Sequence, residues 1–588
     1  MPKTVPFAHF LLRRLAELNC KSIHGVPGDF FLRFLDHIPG SGVRWIGNAS
    51  ELCAGYAADG YARVGSQLAR HHAASKGSSS QTAMVGALMT TYGVGELSAI
   101  NAVAGSYAES VPLIHMVSTP SRRAMREGSS RRPIHHTLAD GRMNVYAEMT
   151  KNVTCAQAIL NTVDDMTAAA ETYDEVLETA ILKSKPAYVS LPSDMAEQPV
   201  LADMLERPLN IRPPLNNWRT EDTLVEIIFN KLCAARTPLI IADALSYPLN
   251  LQPEVNKLVS LSGIPAMSYT SSKGVINENL PSWNPALPNT TEYSKEPDLV
   301  LWLGPLVSDT NTGRWSAVPD AKDAVMFNID SVEIDGQLVN GVRSKTLLQR
   351  LVSRIENENP FQRNKVASES RTDKRTTPNA ESRIIQDDLW PAMSSFIRPE
   401  DTLLLANGTP LIGARQISLP QNCQVFASAI WNAIGSMLPA AQGIAAAKRD
   451  HNLPGRTILF EGDGSFQVTC QAISDMVRYK LDVTIFIANN AGYTYERWLN
   501  GMEAEYNDIP DWRYSEAARF FGAREDDPTY PIFGRRVETW GQLEEVLADE
   551  RTGDGKGLKV VDIVLDPEDV PEMSKAGLLR ASEALREV

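Results

Sequence analysis

The sequence predicts an α/β protein with three α/β domains and mainly parallel sheets. Three observations carry this reading. The chain has 588 residues, enough for three domains of ordinary size. Short apolar runs alternate with segments of helical spacing almost throughout, the pattern of layered parallel sheets. Hydrophobic residues make up 43% and charged residues 22%, an ordinary globular mix that excludes a disordered or fibrous chain.

The elements follow in order. Ser22–Val26, Val43–Ile46 and Leu113–Ser118 read as strands, and Ser50–Tyr61 carries small and apolar residues at helical spacing. The stretch 65–84 is rich in Ser, Ala and Gln and shows no apolar periodicity, so a mobile loop is expected there. A second α/β region runs from about Thr220 to Val352, with core strands at Pro238–Ile241 and Leu299–Leu303. The polar stretch Glu356–Arg383 buries too little apolar surface to fold alone and reads as a linker. A third α/β region follows from Asp387 to about Pro567, and a helical tail closes the chain.

Charge and cysteines narrow the function. Lys plus Arg number 57 against 71 for Asp plus Glu, a net charge of −14, and no long basic run offsets it, so nucleic acid is not expected as a partner. No apolar stretch reaches the ~18 residues of a membrane span, and the start MPKTVPFAHF has no apolar signal core. The six cysteines form no CxxC pair, and reduced thiols in a cytoplasmic enzyme are expected.

The most informative stretch is Arg456–Glu496. Thr457–Phe460 reads as a buried strand, Gly462-Asp463-Gly464-Ser465 as a tight turn, the residues to about Tyr479 as a helix, and Asp482–Ala488 as the next strand. In such a βαβ unit, ligands sit at the carboxyl ends of the strands, so Asp463 and Asn490 are expected to converge. Amides at the helix start, around Gly464 and Ser465, suit phosphate oxygens. The Asp463 carboxylate, the Asn490 amide oxygen and a backbone carbonyl near Gly492 are hard ligands suited to Mg²⁺ or Ca²⁺. A Gly-Asp-Gly turn alone is commonly a mere connector; the Asn-Asn pair one crossover later is what points to a diphosphate–metal site.

With these residues the chain resembles the thiamine diphosphate-dependent 2-oxo acid decarboxylases, and GYTYE at Gly492–Glu496 resembles their pyruvate decarboxylase branch. The resemblance extends to GVPGDF at Gly25–Phe30, GNASELCAGYAADGYAR at Gly47–Arg63, TTYGVGELSAINAVAGSYAE at Thr90–Glu109 and HHTL at His135–Leu138. It implies a pyrimidine-binding domain over 1–195 (carrying the 65–84 insert), a middle domain over 205–355, a linker over 356–385, and a diphosphate-binding domain with its helical tail over 386–588. The cofactors it implies are thiamine diphosphate and Mg²⁺.

The resemblance also implies residue roles. Glu51 matches the glutamate that hydrogen-bonds the cofactor's pyrimidine and helps to generate the C2 carbanion. Asp29, His135, His136 and Glu496 match the proton-handling set around the substrate. Ile434 matches an apolar wedge that keeps the cofactor bent. Thr409 matches a position near the diphosphate, and Gly408 and Asn432 match backbone contacts to the pyrimidine. Two departures stand out: Asn432 replaces a small residue, and Ala406-Asn407 replaces an acidic–hydroxyl pair. If the ring of Tyr495, beside Glu496, points into the pocket rather than into the core, it crowds the pocket and favours short 2-oxo acids. One argument is independent of the family: Asp29, Glu51 and the histidine loop each follow a strand, so the carboxyl-end rule places them on one rim.

The activity implied is non-oxidative decarboxylation of a 2-oxo acid, with pyruvate to acetaldehyde and CO₂ as the leading expectation. The alternatives are an aryl or branched-chain 2-oxo acid decarboxylase acting on phenylpyruvate or indolepyruvate, and a cofactor-binding regulatory homologue with little catalysis. A homodimer or homotetramer with active sites between subunits is the implied assembly, and the cytoplasm the expected location.

Overall fold

The structure is a computed structural model that describes residues 3–76, 83–285, 297–361 and 378–586. It contains three six-stranded sheets distributed over two compact units. The first unit comprises Met1–Pro213 with Leu438–Leu453 and Thr469–Leu481; the second comprises Pro214–Met437, Pro454–Val468 and Asp482–Val588.

In the first unit the strands are β1 (Thr4–Pro6), β2 (Ser22–Gly25), β3 (Arg44–Gly47), β4 (Gly86–Thr91), β5 (Leu113–Thr119), β6 (Gln157–Ile159), β7 (Ala187–Pro192) and β8 (Pro199–Leu201). The main sheet runs β3-β2-β4-β5-β7-β6 with every pair parallel, and β1 and β8 form a small antiparallel ribbon. All residues of β4, β5 and β7 are buried, as a parallel sheet covered on both faces requires. The helix Glu51–Arg63 begins where the Ser50 side chain accepts the Cys53 amide. Its small residues allow a close crossing with the helix Met437–His451. A Cβ on Gly60 would stand 2.2 Å from the Ala440 carbonyl oxygen, and one on Gly443 would stand 1.8 Å from that of Ala57.

In the second unit one sheet is built from β9 (Pro238–Ala242), β10 (Ala266–Ser268), β11 (Leu299–Leu303), β12 (Ala324–Phe327), β13 (Ser331–Ile334) and β14 (Gln337–Asn340). Its order is β10-β9-β11-β12-β13-β14, parallel up to β12 and antiparallel beyond. The other sheet is built from β15 (Thr402–Leu405), β16 (Gln424–Ala427), β17 (Thr457–Gly462), β18 (Val483–Asn489), β19 (Ile532–Val537) and β20 (Leu558–Val564). It is wholly parallel in the order β16-β15-β17-β18-β20-β19.

Four expectations are corrected. The 65–84 insert is not a loop over its first part: Gly65–Lys76 is helical, and 77–82 lies outside the described residues. Val64 and Leu68, one turn apart and both fully buried, supply the apolar face, and Ala, Gln, Arg and Lys supply the propensity. Gly462–Ser465 is not a tight turn either, because β17 runs through Gly462 and a helix starts at Asp463. That helix ends at Thr469, and a second one, Ala472–Tyr479, replaces the expected continuous helix. In the linker region, the helix Ser344–Glu358 extends past its expected start, while 362–377 lies outside the described residues.

Candidate active site

In the first unit the carboxyl ends of the central strands collect acidic and imidazole groups. Beyond β2 the chain turns into a short 3₁₀ turn, Asp29–Phe31, and Asp29 Oδ2 lies 2.9 Å from His135 Nε2. Both side chains are 55% exposed, so this pair meets solvent directly. Phe30 stacks on the His135 ring (centroids 4.9 Å apart, 12° between planes) and meets His136 edge-on at 6.3 Å. The two imidazoles are 4.6 Å apart at 75°. His136 sits in the left-handed region (φ 67°), and Tyr146 donates its hydroxyl proton to the His136 carbonyl at 3.0 Å.

Glu51 occupies the first turn of its helix, just beyond β3. Its carboxylate makes no hydrogen bond or ion pair among the described residues. The turn after β4 connects it to the histidines. A Cβ on Gly95 would lie 3.2 Å from Glu51 Oε1, and one on Gly93 would lie 2.2 Å from the His136 carbonyl oxygen. The approach at Gly93, made to backbone and at a positive φ of 66°, requires glycine, whereas the one at Gly95 is merely tight. Glu96 fixes this turn: Oε1 accepts the Gly93 amide at 2.8 Å and Oε2 accepts the Tyr188 hydroxyl at 2.9 Å. Burial pushes the Glu96 carboxyl up to about 7, and the hydrogen bonds from Gly93 and Tyr188 pull it back only in part. The structure thus brings Asp29, Glu51, His135 and His136 to one rim.

In the second unit the corresponding strand ends carry amides and one buried carboxylate. Asp463, just beyond β17, is 2% exposed. Its Oδ1 accepts the Gly464 amide at 2.7 Å and its Oδ2 accepts the Gly492 amide at 3.0 Å. Burial raises this carboxyl to about 7, against the lowering effect of the Gly464, Gly492, Asn490 and Ala491 amides. The expectation of a free Gly464 amide is therefore corrected: a buried carboxylate takes the nearest donors. Asn490, just beyond β18, is buried, and its Oδ1 has no hydrogen-bond partner among the described residues. A buried carboxylate and an orphaned amide oxygen at adjacent strand ends form a donor set that fits a hard divalent cation.

Beyond β15, Gly408 is left-handed (φ 89°) and precedes the buried Thr409 at the start of the helix Thr409–Gly413. Beyond β16, Asn432 is left-handed (φ 49°); its amide donates to Ser428 Oγ at 2.7 Å and its side-chain Nδ2 to Thr310 Oγ1 at 2.9 Å. Ile434 is 42% exposed, and Ser465 Oγ accepts the Gly435 amide at 2.7 Å. Glu496 lies exposed in the helix Thr494–Leu499. The Tyr495 hydroxyl is buried facing Ser574 of the C-terminal helix Glu572–Arg586, which corrects the expectation that this ring crowds a substrate pocket.

Sequence reasoning missed three residues. Glu96 was legible as a capping glutamate three residues after Gly93. Asn407, whose Oδ1 and Nδ2 are both buried without a partner among the described residues, was noted only as a departure. Nothing in the sequence marked Phe30 as the ring that orders both histidines.

Comparison with known proteins identifies the class. Three thiamine pyrophosphate enzyme models match: the N-terminal TPP binding domain over residues 6–141, the central domain over 225–344 and the C-terminal TPP binding domain over 408–563. The chain is thus a thiamine pyrophosphate enzyme. A pyruvate decarboxylase of Aspergillus parasiticus is 35% identical, covering 100% of this chain and 98% of that one. Pyruvate decarboxylase isozyme 1 of Saccharomyces cerevisiae is 33% identical, with 99% of each covered. The chain belongs to the pyruvate decarboxylase family, and with it to the thiamine diphosphate-dependent 2-oxo acid decarboxylases. The fold is shared with a thiamine diphosphate-dependent 4-hydroxybenzoylformate decarboxylase of Rhodococcus jostii RHA1 (TM-score 0.72, 18% identity, 96% of this chain and 99% of that one). No helix among the described residues is long and apolar enough to cross a membrane.

Proposed function

We propose that this enzyme converts pyruvate to acetaldehyde and CO₂, with Mg²⁺ anchoring its thiamine diphosphate. The observation that carries the metal assignment is the pairing of the buried Asp463 carboxylate with the orphaned Asn490 Oδ1. The Gly492 backbone carbonyl is the third protein ligand in this reading. Full-length similarity to fungal pyruvate decarboxylases supports the choice of substrate.

Bound there, thiamine diphosphate supplies a nucleophilic carbon and a sink for the electron pair left when CO₂ departs. The chain's own residues then divide the remaining work. Glu51, whose carboxylate has no partner among the described residues, would hold a proton against the pyrimidine ring. Asp29, His135, His136 and Glu496 surround the substrate in this reading, deliver the one proton that replaces CO₂ on the product carbon, and take back from the product oxygen any proton lent to it. Gly408 and Asn432 would present backbone groups to the pyrimidine, Ile434 would pack against the cofactor, and Thr409 and Ser465 would face the diphosphate. The enzyme works in this reading as a cytoplasmic homodimer or homotetramer with sites completed between subunits. Six free cysteines and the exposed apolar side chains Ile430, Trp431, Ile434 and Val468 support that.

The test is turnover of pyruvate by the Mg²⁺- and thiamine diphosphate-loaded enzyme, coupled to an alcohol dehydrogenase and run beside phenylpyruvate and indolepyruvate. Acetaldehyde-dependent NADH oxidation is expected. A higher kcat/KM for either aryl substrate would overturn the pyruvate assignment.

A further inference from the structure

We propose that Asp29, His135 and His136 form a second cation site, softer than the Asp463–Asn490 site, which takes Zn²⁺ or a related first-row transition ion and silences the enzyme. Each of the three side chains offers one ligand atom, and these atoms lie within 4.8 Å of one another. One carboxylate oxygen and two imidazole nitrogens form the donor set that selects zinc, cobalt or copper over magnesium. Ligand atoms in a tetrahedral zinc site stand ~3.3 Å apart, so the cluster closes on an ion by side-chain movements of no more than ~1.5 Å.

Three features pre-order the cluster. The Phe30 ring packs against both imidazoles, stacked on His135 and edge-on to His136. The His136 backbone is held by the Tyr146 hydroxyl and by the close approach of Gly93. His135 and Asp29 already meet at 2.9 Å. In the single chain Asp29 and His135 are exposed, which leaves room for water to complete the coordination. Mg²⁺ does not compete there, because it favours an all-oxygen octahedron. An ion held by these lone pairs blocks the groups that the proposed function uses to move protons, so the inhibition rests on that reading. The binding does not.

Co²⁺ is the probe, added to the Mg²⁺- and thiamine diphosphate-loaded enzyme. The visible absorption of a low-coordinate cobalt is expected to saturate at one ion per chain while decarboxylation falls in parallel. Excess Mg²⁺ should neither remove the absorption nor restore the decarboxylation. His135→Ala, His136→Ala and Asp29→Asn should each weaken cobalt binding ~10-fold or more, with retained cofactor binding as the check that the variant is folded. Asp463→Ala should leave the cobalt spectrum in place. A spectrum that survives in the Asp29 and histidine variants, or disappears with Asp463→Ala, overturns the proposal. Turnover with no cobalt signal overturns this site alone, whereas a histidine-dependent cobalt signal without 2-oxo acid turnover overturns only the proposed function.

Discussion

The Asp463 carboxylate accepts the Gly492 amide across 3.0 Å, tying the end of β17 to the segment that follows β18. The group proposed as a metal ligand is thus also a strut between two strand ends. Asp463→Ala removes both the anion and the acceptor for the Gly464 and Gly492 amides. Leaving a buried amide unpaired costs about 1–3 kcal/mol, so a lower melting temperature is expected alongside the loss of function. Thiamine diphosphate affinity, read by calorimetry, should fall by ~100-fold or more, and turnover should vanish. Full activity in metal-stripped, cofactor-free protein would defeat the assignment.

Glu51 has a different signature. Its carboxylate lies against the Gly95 backbone, away from the Asp463 cluster in sequence, and holds no ion pair among the described residues. Glu51→Gln keeps size and shape while removing the charge. Cofactor binding should therefore persist while kcat drops by roughly 10²–10⁴-fold, the usual value of a positioned acid–base group. A parallel loss of cofactor affinity and kcat would show that Glu51 serves mainly to bind.

How much of this was legible depends on whether a feature was local. Strand Leu299–Leu303 was read to its exact ends because five consecutive apolar residues are bounded by Asp298 and Gly304. The Asp463–Asn490 placement followed from one local βαβ unit. The association of 438–453 with the N-terminal unit did not, since it depends on Gly60 meeting Ala440, hundreds of residues apart in the chain. The buried state of Glu96 likewise depends on Tyr188. The Val64–Leu68 pair was too short a pattern to stand out against a Ser- and Ala-rich stretch.

Glu96 carries a pH prediction. Burial lifts its carboxyl from the ordinary 4.5 to about 7, so the folded state favours the protonated form. The stability it contributes is full below its unfolded value and is lost as pH rises through about 7. The full effect is on the order of 3 kcal/mol. Glu96→Gln retains an acceptor for Gly93 and abolishes the titration. Between about pH 5 and about pH 8, melting of the cofactor-free wild type should fall more steeply than that of the variant. Parallel curves would place the titration elsewhere.

Tyr495 directs its hydroxyl to Ser574, and its helix packs on the C-terminal helix Glu572–Arg586. Tyr495→Ile should therefore change the kcat/KM ratio of phenylpyruvate to pyruvate by less than about threefold, because one side chain outside the pocket contributes little to discrimination. Faster limited proteolysis of the tail is the expected effect. A large gain for phenylpyruvate with an undisturbed tail would restore the steric reading.

The helix Gly65–Lys76 begins where Glu51–Arg63 ends and leads back to the start of β4, so it lies at the amino ends of the strands. Glu51, at the other end of that preceding helix, belongs to the carboxyl rim. Removal of 66–83 is therefore not the excision of a bare loop. It deletes Leu68, which is fully buried, together with the buried Ser66 and Gln67. Leu68→Ala should cost about 2–4 kcal/mol through the cavity it leaves, read as a lower denaturation midpoint at unchanged m-value. Because the helix stands away from the carboxyl rim, kcat per folded chain should stay near that of the wild type. A Leu68→Ala variant that unfolds at the wild-type denaturant concentration would show that this helix is not docked, and a folded variant with most of its kcat lost would show that it reaches the active site.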